Sequence, residues 1–263
     1  MKFLFYSLTL IVFLSCKKEK TFADDIVLSF PKDEKLSFQK FNEDGNQMGT
    51  SLIYIGKDSS VIDVKYYKYI LPPPPPPPKK NENAEEYTLA RKKFEDSIHN
   101  VYKDFFKRET IKILETKEEL YDSLIDKKLS IIVKEKDTIP LYAINYETEE
   151  IKKYKAFPVF IKNVSTETLK IPVDAKSVAL YVLNDNRFQY IRNSDYYTCI
   201  TGLARNPYFE LKPNEILIYS FPHLKKGEKR KAKISFFKAK SKEFEISVDG
   251  EIIKKQRTHS YLQ

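Results

Sequence analysis

Site chemistry needs a nucleophile, a proton donor and acceptor, a metal cage or a phosphate cradle, and this sequence holds few residues able to supply any of them. Two cysteines, Cys16 and Cys199, and three histidines, His99, His223 and His259, are scattered over 263 residues without a metal-ligand spacing. No metal centre and no cofactor are expected. Six glycines form neither G-x-G-x-x-G nor G-x-x-x-x-G-K-[ST], so a nucleotide cradle is not expected either. Cys199 lies in Tyr196-Tyr197-Thr198-Cys199-Ile200, where the plainer role is a small apolar side chain in a strand. As a nucleophile it would need a base, and His223 is the only histidine in the same strand-rich region. Glu118, Glu119 and Asp122 are the acids available to a hydrolase, but acids on a surface helix are ordinarily solvated charges. No catalytic residue is assigned, and a non-enzymatic role is expected.

The one cysteine whose surroundings carry a signal is Cys16. Lys2 is followed by twelve mostly apolar residues, 3–14, and then by Ser15-Cys16-Lys17-Lys18. A positive tip, a short apolar run and a small residue before a polar break describe an export signal. At about 1.5 Å per residue the run spans roughly 18 Å, too short for the ~30 Å hydrocarbon core of a bilayer. Leu14-Ser15-Cys16-Lys17-Lys18 resembles the lipoprotein signal common in Bacteroidota. The resemblance implies removal of residues 1–15, lipidation (palmitate among the acyl chains) of Cys16, a membrane partner held through that lipid, and an outer-membrane lipoprotein facing the periplasm or the cell surface. Phe13 and Leu14 depart from the stricter Leu-Ala/Ser-Gly/Ala-Cys pattern of other bacteria. Several acyl chains, at about 0.8 kcal/mol per buried methylene, would anchor the chain stably.

The elements that must position anything further fall into blocks. Residues 16–24 read as a lipidated polar tether. Residues 25–70 read as a small β-rich unit, with strands at 26–28, 36–38, 51–55 and 61–64 and turns at Asp44-Gly45 and Gly56-Lys57-Asp58. Tyrosines and lysines interleave over 65–70, a pattern of half-buried rings beside solvated amines or of a stacking platform. Residues 71–82 form a spacer around the seven prolines 72–78, a polyproline II rod of roughly 22 Å at about 3.1 Å per residue; an aromatic groove could also take such a rod as a ligand.

Residues 83–128 read as helical. Asn83 and Glu86 give a capping box, and Tyr87, Ala90, Phe94, Ile98, Val101 and Phe105 recur at spacings of three and four. Thr116 with Glu119 starts a second, shorter helix ending at Lys127-Lys128. From residue 129 the period changes to two. Strands at 129–133 and 138–142 flank Lys134-Glu135-Lys136-Asp137 as a hairpin, and further strands are expected at 156–163, 169–173, 178–183, 188–191, 197–200, 216–221, 232–237 and 244–248. In the last, Phe244, Ile246 and Val248 share the buried face while Glu243, Glu245 and Ser247 share the solvated one. The fold class expected is mainly β with a helical insertion: a C-terminal β-sandwich over 129–253, preceded by a small β unit and one or two helices, with a polar tail at 254–263.

The strand ending at Asn163 and the later Leu211-Lys212-Pro213-Asn214-Glu215-Ile216 turn resemble the immunoglobulin-like domains of bacterial exported proteins. That resemblance implies a fold and transfers no site residue.

The formal net charge of +9 loses one unit with Lys2 and is densest in Lys225-Lys226-Gly227-Glu228-Lys229-Arg230-Lys231-Ala232-Lys233. Such a cluster suits anionic headgroups or polyanionic glycans; export makes nucleic acid a poor partner. A lysine-rich composition would also produce it as a solvated face. Asp96-Ser97-Ile98, Asp122-Ser123-Leu124 and Asp137-Thr138-Ile139 resemble the short O-glycosylation acceptor of exported Bacteroidota proteins. The expected function is a lipid-anchored cell-envelope protein that binds an unknown envelope protein or glycan without catalysis. The alternatives are a structural or assembly component of an envelope complex and a hydrolase.

Overall fold

A strand buried on one face alternates apolar and polar residues, whereas one buried on both has no reason to. Segments 156–161 and 216–219 are apolar at every position, and they lie side by side in the middle of the fold. The computed structural model describes residues 20–32, 35–41, 51–64, 84–107, 112–114, 123–144, 150–172, 178–192, 206–256 and 261–262. The chain is mainly β.

In chain order the elements are β1 (Val27–Ser29), β2 (Ser51–Lys57), β3 (Val61–Asp63), α1 (Ala84–Phe106), β4 (Lys112–Leu114), β5 (Leu129–Val133), β6 (Ile139–Ile144) and β7 (Ile151–Asn163). They continue with β8 (Leu169–Pro172), β9 (Val178–Asn184), β10 (Arg187–Ile191), β11 (Asn206–Leu211), β12 (Glu215–Pro222), β13 (Glu228–Phe236), β14 (Ala239–Lys240), β15 (Phe244–Val248) and α2 (Gly250–Lys254). A central sheet runs β2-β12-β7, with β5 and β6 both on the far side of β7. A second sheet runs β10-β9-β13, with β14 and β15 both on the far side of β13. A third is β4-β11-β8, and β1 and β3 form a parallel pair.

The central sheet is covered twice. Phe157, Val159, Ile161, Leu217 and Tyr219 share one core with Leu180, Val182, Ile234 and Phe236 of the second sheet. The rings of Tyr219 and Phe236 lie 5.9 Å apart, and those of Phe157 and Phe244 6.2 Å. The opposite face, with Phe160, Ile216 and Ile218, packs on Ala23, Ile26, Ile62 and Val64. All of β12 is buried as a result. Each fully buried aliphatic side chain is worth roughly 1.5–3 kcal/mol, so the amino-terminal cover stabilises the fold substantially.

The strands of residues 25–70 join the central sheet, a pairing the sequence leaves open: β2 pairs with β12 from Glu215 to Ser220. Several expectations are revised. Residues 36–38, expected as a strand, contribute a single bridge, Ser37 to Tyr154. The tether expected through residue 24 is already docked there, since Ala23 is fully buried and its carbonyl accepts from Lys134 Nζ at 2.6 Å. The hairpin expected at 129–142 is absent. β5 pairs with residues 159–163 of β7 and β6 with residues 151–156, so the two follow one another along one edge. Pro158 marks the break: its carbonyl accepts from the Lys134 N–H at 3.2 Å, but it has no N–H to donate.

Nor does a helix reach Lys127-Lys128. Residues 123–128 form turns in which the N–H groups of Lys128 and Leu129 both meet the Ile125 carbonyl. Residues 112–114, expected within the helical block, pair as β4 with β11, a strand absent from the sequence reading. The polar tail is also structured. Gln256 bonds both the N–H and the carbonyl of Arg192, and Tyr261 bridges to Gln189, while just before the tail Ile252 and Ile253 of α2 are buried.

The helix expected from Asn83 is α1, with Tyr87, Phe94 and Phe105 half-buried, Ala90 exposed and Phe106 buried against Phe209, ring centres 5.4 Å apart. Among the described residues no helix is long and apolar enough to cross a membrane. The export signal, Cys16, residues 65–70, the proline run, Asn83, Glu118, Glu119, Asp122, the strand at 197–200 and Cys199 lie outside the described residues.

Candidate functional site: a basic groove between two sheet edges

The far edges of the two large sheets run alongside each other. At one end they are joined: the Lys238 N–H donates to the Leu124 carbonyl at 3.1 Å and the Lys240 N–H to the Asp126 carboxylate. At the other end the link between β5 and β6 diverges from β15, leaving a cavity of about 570 Å³. Its floor is apolar, formed by Leu224 and Ile246, both buried. Four lysines, Lys136, Lys155, Lys226 and Lys229, line it together with Glu135 and Glu245.

Each wall has a local cause. β12 ends at Pro222, and the next residue still bonds the central sheet through its N–H to the Lys155 carbonyl at 2.9 Å, which fixes His223 at the rim. Ser37 bonds β7 on the same side, donating to the Lys153 carbonyl and accepting from the Lys155 N–H at 2.7 Å. This places the Phe38 ring 4.9 Å from the Lys155 ammonium. Gly227 lets the chain entering β13 run hard against β15, because a Cβ there would stand 2.1 Å from the Val248 carbonyl oxygen. Lys226 and Lys229 flank that contact.

His223 is held neutral at ordinary pH. Burial pushes its pKa below the usual imidazole value, the Lys155 charge acts in the same direction, and a hydrogen bond to the Asp137 main chain opposes both. Its ring packs edge-on against Phe157 with centres 5.1 Å apart.

The basic run of the sequence is divided by the acids within reach of each cation. Lys225 pairs with Asp249 at 3.7 Å, Arg230 with Glu228 at 3.0 Å, and Lys231 and Lys233 share Glu243 at 3.6 and 3.4 Å. Lys226 and Lys229 form no ion pair among the described residues and face the groove. An exposed ion pair is worth about 0.2–1 kcal/mol, so this arrangement suits a ligand with several negative charges more than a single ion.

His223 and part of the basic run are thus brought together, and Thr138, of the acceptor-like Asp137-Thr138-Ile139, stands exposed at the same cavity. Ser97 of Asp96-Ser97-Ile98 instead donates to the Phe94 carbonyl at 2.7 Å within α1, and Leu124 of Asp122-Ser123-Leu124 is buried. Lys155 and Phe38 were missed by the sequence reading. The alternation of Lys153 and Lys155 with Tyr154 and Ala156 was the available signal for the first; nothing local pointed to the second. Among the described residues no three His, Cys, Asp or Glu side chains gather to hold a metal ion.

No protein-family model, no curated protein and no solved structure matches the chain.

Proposed function

We propose that the chain is a non-catalytic binding module of the cell envelope, an immunoglobulin-like β-sandwich held at a membrane by lipid on Cys16, which receives a polyanionic protein or glycan in the basic groove. The observation that carries this reading is the convergence of Lys136, Lys155, Lys226 and Lys229 on one cavity with an apolar floor. Its support as a sandwich is the shared core of the central and second sheets. The meeting of the two motif segments adds to it, for the Asn214 N–H donates to the Asn163 carbonyl at 2.9 Å. The non-enzymatic reading is supported by His223, which is bonded to the Asp137 main chain and half enclosed by packing against Phe157.

The test is retention of the full-length, detergent-purified protein on immobilised dextran sulfate. Replacing Lys226 and Lys229 together by Glu is expected to weaken binding about tenfold or more, while the same charge change at Lys92 and Lys93 on exposed positions of α1 leaves it near wild type. Equal losses from both pairs would show only net charge at work and end the groove reading.

A second reading, an assembly role through α1, is favoured by Leu89, which is 55% exposed on that helix. Leu89→Glu would then abolish co-purification of an envelope complex and leave dextran sulfate binding unchanged.

A further inference from the structure

The groove is lined by three consecutive residues of one strand, Glu245, Ile246 and Ser247. Neighbouring side chains of a strand point to opposite faces, so three in a row at one cavity means that the cavity lies along the strand's edge. The direction of the main-chain groups follows from the register. β13 meets β15 with Glu228 opposite Val248, Arg230 opposite Ile246 and Ala232 opposite Phe244. The Val248 carbonyl lies against Gly227, and Ser241, just before β15, bonds both the N–H and the carbonyl of Ile234. Even-numbered residues of β13 therefore direct their main chain toward β15, and Phe244, Ile246 and Val248 answer them. Glu245 and Ser247 direct theirs the other way, into the groove, and neither main chain takes a hydrogen-bond partner among the described residues.

We infer that β15 is a docking edge for an extended acidic peptide, which adds as a strand beside Glu245 and Ser247 with its carboxylates toward the groove lysines. This rests on the binding-module reading and narrows it. A sheet edge offers alternating donors and acceptors at the repeat of a peptide backbone, a pattern that favours a polypeptide over a glycan of equal charge. Lys136 stands on the opposite wall from β15, Lys226 and Lys229 beside it, and Lys155 stands beyond with its ammonium near Phe38. Alternate carboxylates of an added strand share one face, spaced about 6.8 Å apart; on that face Lys229 lies across β15 beside Ser247, and Lys136 on the facing wall offsets the like charge of Glu245. The apolar floor of Leu224 and Ile246 takes the alternate apolar side chains.

The probe is a capped eight-residue peptide of alternating Glu and Val, titrated into the full-length protein in detergent and read by fluorescence anisotropy. Two controls accompany it: an analogue N-methylated at every residue, which keeps the carboxylates but loses the N–H donors, and the Gln-Val peptide, which keeps the donors but loses the charge. Both controls are expected to bind about tenfold more weakly or worse. Ser247→Pro removes one outward N–H, a substitution that an edge strand admits, and is expected to weaken the acidic peptide to the same degree with an unchanged urea midpoint. Should Ser247→Pro fail to fold, the methylated analogue decides alone. Equal binding of the methylated and unmethylated peptides overturns the inference, as does undiminished binding by a folded Ser247→Pro. If dextran sulfate still senses Lys226 and Lys229 while the peptide arms are flat, only the peptide inference falls; if neither probe senses them, the binding-module reading falls as well.

Discussion

Asn163 is fully buried, and each of its side-chain atoms is used. Its Nδ2 donates to the carbonyls of Glu167 and Leu211 at 2.7 and 2.9 Å, and its Oδ1 accepts from the N–H and the hydroxyl of Ser165 at 3.0 and 2.7 Å. One side chain thus ties the end of β7 to the turn before β8 and to the end of β11. Asn163→Ala would leave the buried Leu211 carbonyl without its bond and take one from the half-buried Ser165 N–H, at a cost of about 2 kcal/mol. A urea titration of the variant checks this, and a midpoint unchanged from wild type would refute it. His223 makes the second residue-scale prediction. Its pKa in the folded chain lies below the unfolded value near 6.5, because burial disfavours the charged ring. The unfolded chain therefore binds more protons, and the stability contributed by neutral His223 is present above about pH 6.5 and lost as pH falls from there toward the lower folded value. Urea midpoints are expected to drop between pH 7.5 and 5.5, with His223→Gln flattening that drop; an equal slope in both proteins would assign the pH dependence to other groups.

At the scale of elements, clean periodicity was readable and partner choice was not. β5 and β15 have the ends expected from alternation alone, and the spacing of Tyr87, Ala90, Phe94 and Phe105 located α1. The polar link Lys134-Glu135-Lys136-Asp137 reads the same whether the chain turns back or runs on. What decides is the 13-residue length of β7 and the missing N–H of Pro158, which splits its partner edge in two. The same gap hid the groove. One wall belongs to the basic run, and half of the floor, Ile246, to the alternation of β15, both visible in sequence, but Lys155, Phe38 and Lys136 arrive from three other segments through pairings that no local pattern encodes. The basic run was legible as charge, whereas its division between ion pairs and groove depended on Asp249 and Glu243 across the sheet.

At the scale of the whole molecule, the amino-terminal segment joins the proposed anchor to the fold with little slack. Phe22 lies under the Lys162 ammonium at 5.6 Å, Ala23 is fully buried, and the Asp24 carboxylate accepts from the N–H and hydroxyl of Thr21 at 2.7 and 2.9 Å. Lys134 reaches both the Ala23 carbonyl at 2.6 Å and Asp24 at 3.6 Å, holding the segment to the central sheet. Between a lipid on Cys16 and the docked Thr21 only residues 17–20 remain, which at full extension span roughly 14 Å at about 3.5 Å each. The lipid proposed for Cys16 would therefore hold the covered face of the central sheet close to the bilayer, which would shield the basic sites Lys17, Lys18 and Lys20 from a protease. Wild type is expected in the membrane fraction with an acylated amino-terminal peptide by mass spectrometry, and Cys16→Ala in the soluble fraction. On membranes carrying the exposed protein, trypsin should cut between Lys17 and Lys20 slowly, and inserting ten Gly/Ser residues after Lys18 should speed that cut about tenfold, because a flexible linker of that length reaches clear of the bilayer. An unmodified Cys16 would remove the anchor from this account. An acylated protein cut equally fast with and without the insertion would keep the anchor and show that the docked segment releases from the central sheet at the membrane.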